Sequence, residues 1–266
     1  MALQAVVRRR PPRRSDDAGY LSPALPRVFA HRGLAVDAPE NTMLAFARAI
    51  AVGASYIETD VHASADGVAM IAHDPTLARV AGRDVRVDQL TRAELEKIDL
   101  GHGQSFCTLA NALDGFPQTR FNIDVKSELA VVPTIEVIRK SGATHRVLVT
   151  SFDERRRAAL VLGLPGVASS ASAAKLTPAL IGARLGIVPL VRSALAGFVA
   201  VQVPEKAAGV RITTPKMIRA FHDAGVEVHV WTVNDPHRMA ELLDLGVDGI
   251  ITDRADLALK VLDQRS

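Results

Sequence analysis

The sequence predicts a closed (β/α)8 TIM barrel with a short excursion after the second strand. Two observations carry this. Short apolar runs alternate with helical patterns once a basic N-terminal segment has passed, and strands alternating with helices indicate a parallel sheet. Eight such units in 266 residues also match the usual size of a single closed barrel. The first strand is expected at Arg27–Ala30, ending in His31-Arg32-Gly33. A helix over Thr42–Ala51 follows, with Leu44, Phe46, Ala47 and Ile50 near helical spacing. The second strand is Tyr56–Val61. Residues Pro75–Pro117 are too long for one helix and read as the excursion. It is expected to hold a hairpin arm around Val68–Ala72, a polar loop and two short helices, with Thr91-Arg92-Ala93-Glu94 as a capping box before Leu95 and Ile98.

The remaining strands are expected at Arg120–Val125, Arg146–Thr150, Gly166–Ser170, Phe198–Val203, Glu227–Trp231 and Asp248–Ile251. Helices at Thr214–Ala224 and Pro236–Leu245 each meet a glycine just beyond their ends, a common stop. Residues 168–203 are nearly uniform in Ala, Val, Leu and Gly, so the fifth and sixth units have the weakest pattern. An open doubly wound sheet is the alternative there.

Composition narrows the function. The chain is 48% hydrophobic and carries a net charge of +3. Five arginines (Arg8, Arg9, Arg10, Arg13, Arg14) fall within residues 1–14, with no acid among them. Without them the body holds 27 basic against 29 acidic residues, about −2. The body is therefore no nucleic-acid platform. Residues 1–26 read as a basic, disordered arm and 27–266 as a single domain, with peripheral membrane contact through the arm as a lesser reading. The arm's apolar piece precedes its arginines, the reverse of a secretion signal, and no run approaches the roughly 20 apolar residues of a membrane span. A lone cysteine, Cys107, excludes an internal disulfide and a multi-cysteine metal site. The expected location is cytoplasmic.

The chemistry concentrates between His31 and His73. Glu58 and Asp60 lie two apart on a strand, so both leave the same face. Two carboxylates there repel unless something positive lies between them, and a hard cation is the natural answer. Asp124, near the end of the next barrel strand, would complete a set of three. His31 and His73, each at a strand terminus, suit a divided acid and base role. His31 as base and His73 as acid is the order taken first, with the reverse left open. Arg32 and Lys126 are cations placed to face a phosphoryl group, with a salt bridge to Asp124 as the competing role for Lys126. Trp231, at the end of the seventh strand, would wall a pocket or pack in the core. His62, taken to lie on the opposite face from Asp60, reads as supporting or structural. The other histidines show no partner in the sequence.

The order His-Arg-Gly, Pro-Glu-Asn-Thr, Glu-x-Asp-Val, Asp-Gly, His-Asp resembles the glycerophosphodiester phosphodiesterases. The similarity continues through Thr91–Gly101, Ile123–Lys126, Val149–Phe152 and Val230–Asp253, and so covers roughly residues 27–256. The resemblance implies a barrel that hydrolyses glycerophosphodiesters to glycerol 3-phosphate and an alcohol with one divalent cation, Mg2+ or Ca2+. Carried over, His31 and His73 are the acid–base pair and Glu58 and Asp60 are metal ligands. Arg32 and Lys126 contact phosphate, and Trp231 lines the glycerol pocket. Two departures matter. The third-strand ligand is usually glutamate and here is Asp124, as in related phospholipase D-type enzymes, which makes hydrolysis of lysophospholipids the alternative activity. Ser64 stands where threonine is frequent. A non-catalytic phosphate-binding barrel is the remaining alternative.

Overall fold

The structure is a computed structural model that describes residues 19–207 and 209–265. Its eight barrel strands are β1 (Arg27–His31), β2 (Tyr56–Ala63), β3 (Arg120–Val125), β4 (Val147–Thr150), β5 (Ala168–Ser169), β6 (Ala200–Pro204), β7 (Glu227–Trp231) and β8 (Gly249–Thr252). All are parallel neighbours in chain order, and β8 returns to β1. A parallel bridge between Ser170 and Ala200 joins β5 to β6. The ring therefore closes there, and the open-sheet alternative falls away. Each expected strand is present, with ends moved by two residues or fewer.

The helices are α1 (Met43–Ala51), α2 (Leu109–Gly115), α3 (Val131–Lys140), α4 (Glu154–Gly163), α5 (Ala173–Leu185), α6 (Val188–Ala194), α7 (Pro215–Asp223), α8 (Pro236–Asp244) and α9 (Ala255–Asp263). Thr42 caps α1 by accepting from the Ala45 amide, and Thr214 caps α7 from Met217 in the same way. Outward-facing strand residues such as Val28, Ile57, Phe121, Val149, Val201, Val228 and Ile250 are buried against this helical layer. Period-2 alternation then leaves the opposite parity to fill the barrel interior.

The floor of the interior is polar. Arg27 donates to Glu227 through Nε (2.8 Å) and Nη2 (3.0 Å), and to the Tyr56 hydroxyl at 2.9 Å. It also reaches the carbonyls of Pro23 and Leu21, while the Tyr56 hydroxyl donates to the carbonyl of Tyr20. Residues 20–23 thus seal the N-terminal end of the barrel with Tyr20 buried. This part of the expected arm packs against the barrel, because buried arginine and tyrosine groups need those carbonyls. Residues 1–18 lie outside the described residues.

The excursion is richer than two short helices. A strand over Ala69–Ile71 pairs antiparallel with the end of β2. Helical turns at Ala78–Ala81, Val87–Gln89 and Arg92–Leu95 follow, then a hairpin of Asp99–Gly101 with Gln104–Ser105, then α2. The capping box forms: the Thr91 hydroxyl accepts from the Glu94 amide, and the Glu94 carboxylate accepts from the Thr91 amide at 2.8 Å. Met70, Leu77, Val87, Leu95, Ile98 and Phe106 bury one another in a separate cluster, so the excursion folds as a lobe beside β2.

Candidate active site

Strand register assembles the site. His31 pairs with Glu58, and Glu58 with Asn122, across β1, β2 and β3; one layer higher, Asp60 pairs with Asp124. All are interior residues; His31 closes β1 and Asp124 lies one residue from the end of β3, toward the face where barrels expose chemistry. The structure brings all eight sequence-predicted residues (His31, Arg32, Glu58, Asp60, His73, Asp124, Lys126, Trp231) onto one cavity of about 540 Å3.

Each histidine is held by a carboxylate. His31 Nδ1 lies 2.6 Å from Asp253 Oδ1, and Asp253 also accepts from the Asn234 amide at 2.7 Å. His31 Nε2 points toward Glu58 at 3.9 Å. Burial opposes a charge on His31, but the hydrogen bond to Asp253 and the field of Glu58 outweigh it and raise its pKa. His73 Nδ1 lies 2.6 Å from Asp74 Oδ1. Asp74 is itself neutralised by Arg79 Nε at 2.6 Å, and Arg79 grips Glu40 through both terminal nitrogens. Glu40 in turn accepts from Arg32 Nη1 at 3.0 Å. A chain of alternating charge therefore runs from Asp74, which holds His73, to Arg32.

The three carboxylates are nearly dry. Burial, then repulsion from Asp60, pushes Glu58 up to about 8. Burial would raise Asp60 as well, but Lys126, His73 and Arg32 hold it below the usual range. Lys126 Nζ lies 2.8 Å from Asp60 and 2.6 Å from Asp124, so the salt bridge weighed from the sequence is present. Burial still raises Asp124 against the pull of Lys126. Its Oδ1 and the Oδ1 of Asn122 are buried without a hydrogen-bond partner. Orphan acceptors in a cavity mark where a ligand's donors or a cation would complete the site. Among the described residues no three His, Cys, Asp or Glu side chains converge on a single point. The donor chemistry nevertheless fits a hard divalent ion, since three buried carboxylates and an orphan oxygen are what such ions take.

The far wall differs. Thr150, Ser170 and Gln202 form a hydrogen-bonded floor, with the Ser170 hydroxyl 2.8 Å from the Thr150 hydroxyl and 3.2 Å from Gln202 Oε1. Above it stand Trp231, Phe152, Leu176 and Leu180. Trp231 and Phe152 meet edge-on at 6.2 Å between centroids. Trp231 also packs with Phe29 and Ile251, so it walls the pocket and joins the core.

Several residues that hold this geometry escaped the sequence reading. Asn41 donates to Asp60 at 3.0 Å while accepting from Thr59 at 2.8 Å, which fixes the carboxylate. Asp74, Glu40 and Asn41 stood within the quoted motifs, and Asp253 closed the last one, yet nothing local pairs Asp253 with His31, 222 residues away. Arg32 and Asn41 both take left-handed φ values, 55° and 56°; asparagine adopts this region readily, whereas for Arg32 it is uncommon and typical of sites where geometry is imposed. His62 is a correction: two residues beyond Asp60 it shares that parity rather than opposing it, and its ring contacts the His73 carbonyl at 3.2 Å. His222 and His229 do have partners, Asp248 and Glu227.

Comparison with known proteins agrees with this geometry. The sequence model of the glycerophosphoryl diester phosphodiesterase family matches residues 31–257. The chain is 46% identical over 240 residues to "Probable glycerophosphodiester phosphodiesterase 2" of Mycobacterium tuberculosis, covering 90% of this chain and 91% of that one. The crystal structure of glycerophosphodiester phosphodiesterase from Thermotoga maritima superposes with a TM-score of 0.71 at 28% identity, over 88% of this chain and 97% of that one. That from Agrobacterium tumefaciens gives 0.72 at 26%, over 88% and 99%.

Proposed function

Because the chain belongs to the glycerophosphoryl diester phosphodiesterase family, we propose that it hydrolyses glycerophosphodiesters to sn-glycerol 3-phosphate and an alcohol in this cavity, by a two-histidine mechanism. The observation that carries the reading is the pair of carboxylate-held histidines facing one cavity with three buried carboxylates and two cations. One histidine takes the proton of the nucleophile, water or the substrate's own 2-hydroxyl. A new P–O bond forms, the bond from phosphorus to the alcohol breaks, and the other histidine protonates the departing alkoxide; where the 2-hydroxyl attacks, water then opens the cyclic phosphate to glycerol 3-phosphate. Asp253 takes its second side-chain hydrogen bond from a neutral amide, whereas Asp74 is compensated by Arg79. Asp253 and the field of Glu58 hold a proton on His31, and we assign His31 as acid and His73 as base, reversing the order first taken from the sequence. Arg32 and Lys126 face the added negative charge of the transition state.

Members of this family generally depend on a divalent cation. Glu58, Asp60 and Asp124 are the residues that would hold Mg2+ or Ca2+ here, and the ion would draw charge from a non-bridging phosphate oxygen. Lys126, released from the two aspartates, would then turn to phosphate. The test is release of glycerol 3-phosphate from glycerophosphocholine, abolished by chelator and restored by Mg2+ or Ca2+. No product under either ion overturns the activity, and indifference to chelation overturns the metal.

The apolar wall favours a second reading. Phe152 is 61% exposed beside Leu176 and Leu180, more apolar surface than a glycerol moiety uses. An acyl chain of a lysophospholipid would lie there. A higher kcat/KM for lysophosphatidylcholine than for glycerophosphocholine would establish it, and the reverse would remove it.

A further inference from the structure

We propose that the catalytic mouth docks on an anionic lipid surface through a rim formed by α5 and the turn that follows it. α5 does not descend the barrel wall as a helix after a barrel strand normally does. Leu176, Thr177 and Leu180 line the cavity. Near the other end of the helix, the Arg184 carbonyl accepts from Lys216 Nζ at 2.7 Å, in the first turn of α7. α7 starts at the same end of the barrel, because it follows β6 and the hairpin of Lys206–Ala207 with Val210–Arg211. Both ends of α5 are thus held at the catalytic face. The descent is made by α6, whose Arg192 reaches the Asp223 carbonyl at the far end of α7.

α5 rests on α6 through small residues, with Ala179, Gly182 and Ala183 buried. A Cβ on Gly182 would come within 2.9 Å of Val191, so the two helices touch closely there. The large apolar residues point elsewhere. Ile181 is 51% exposed, Leu185 65%, Ile187 44% and Val188 39%. Together with Phe152, they give the mouth an apolar edge, the kind of exposed patch that marks an interaction surface.

Charge indicates the partner. Between Glu154 and Asp223 the sequence holds ten lysines and arginines and one acid, Glu205. Glu205 is occupied by Arg238 at 2.6 Å. Lys175, Arg184, Lys206, Arg211 and Lys216 belong to the elements gathered at this face. Asp153 and Glu154 open α4 at the same face, and Glu154 is occupied by Arg157 and Ser172; against a slightly acidic body the sector still carries a net positive charge. Exposed apolar side chains ringed by cations suit the boundary of an anionic bilayer. A second copy of the chain suits it less, because a twofold contact would oppose these like charges. Docked in this way, the cavity would open toward lipid headgroups.

The experiment is co-sedimentation of the full chain with vesicles of phosphatidylcholine alone and of phosphatidylcholine mixed with phosphatidylglycerol. The chain should bind the mixed vesicles preferentially and lose binding as salt rises. The pairs Ile181→Asp with Leu185→Asp, and Lys175→Glu with Arg184→Glu, should each weaken binding about tenfold or more. Turnover of dissolved glycerophosphocholine should stay unchanged in both, which also shows that they fold. The combined changes Arg8→Ser, Arg9→Ser, Arg10→Ser, Arg13→Ser and Arg14→Ser should leave most of the binding intact. Failure of the wild-type chain to bind, undiminished binding by the rim variants, or loss only in the arginine variant overturns the proposal. So does a rim variant that changes a dimer into a monomer while vesicle binding persists. Vesicle binding needs no turnover, so its outcome is separate from that of the hydrolytic reading.

Discussion

At the scale of single residues, the two histidines differ in what stands behind them. His31→Ala and His73→Ala should each lower kcat on glycerophosphocholine by about 10² to 10⁴, the usual worth of general acid or base catalysis. A substrate with a p-nitrophenyl leaving group needs no protonation of that group. It should restore much of the loss in His31→Ala and little in His73→Ala; equal restoration would refute the assignment of acid and base. Asp253→Asn is the complementary change. Burial disfavours the His31 cation, and Asp253 together with Glu58 keeps its pKa raised. With Asp253 neutralised, His31 should lose its proton at lower pH. The alkaline limb of the kcat profile should move toward acid, with kcat down about 10–100-fold. A limb that stays in place would leave Asp253 without a role in holding that proton. Residue types and spacing made His31, Glu58, Asp60 and His73 readable in the sequence, since the two carboxylates lie two apart on one strand and the two histidines lie at or just beyond strand ends. Asp253 was not readable in that sense, because its partner is supplied by closure of the barrel rather than by any local pattern.

At the scale of elements, the connection from β1 to α1 carries the tightest constraint. Gly33 has φ +85°, and a Cβ there would lie 2.7 Å from the Ala45 backbone carbon and 2.8 Å from its oxygen. That oxygen already accepts from the Leu34 amide at 2.9 Å, so the backbone of α1 has no freedom to withdraw. Gly33→Ala should cost about 1–3 kcal/mol or more in urea unfolding, combining strain with overpacking. It should also impair catalysis, because His31 and Arg32 immediately precede the turn. Unchanged stability would mean that the turn can rearrange. The capped helices and the eight strands were readable, since turn residues and period-2 or helical spacing fix them locally. α5 was not. Its apolar residues lie on all sides, some against α6, some in the cavity wall and some at the rim, so no single stripe betrays a helix. The excursion was readable in its hairpin arm and its Thr91–Glu94 capping box but not in its full order, because its helical turns are four residues or fewer and their arrangement depends on packing against β2.

At the scale of the whole molecule, the barrel is held shut at its floor by charge. Arg27 on β1 and Glu227 on β7 are both essentially buried, and β8 separates their strands. Their ion pair spans the strand between them and is extended by Tyr56 from β2 and His229 from β7. Burial alone would raise the Glu227 carboxyl, but hydrogen bonds from His229 and Arg27 hold it far below the ordinary carboxylate range. A carboxylate whose folded-state pKa is depressed contributes stability that is complete above its unfolded value, about 4.3, and that is lost as pH falls toward the folded value. Glu227→Gln should therefore do two things. At neutral pH it strands a buried guanidinium and should cost about 3–5 kcal/mol, the usual penalty for breaking a buried pair from one side. Below about pH 4 the wild-type chain should lose part of that advantage, so its stability and that of the variant should converge on acidification. Urea unfolding of both proteins across this range measures the gap directly. A gap that stays constant with pH would assign the loss to packing and hydrogen-bond geometry alone, and would remove the charge of Glu227 as the fastening of the floor.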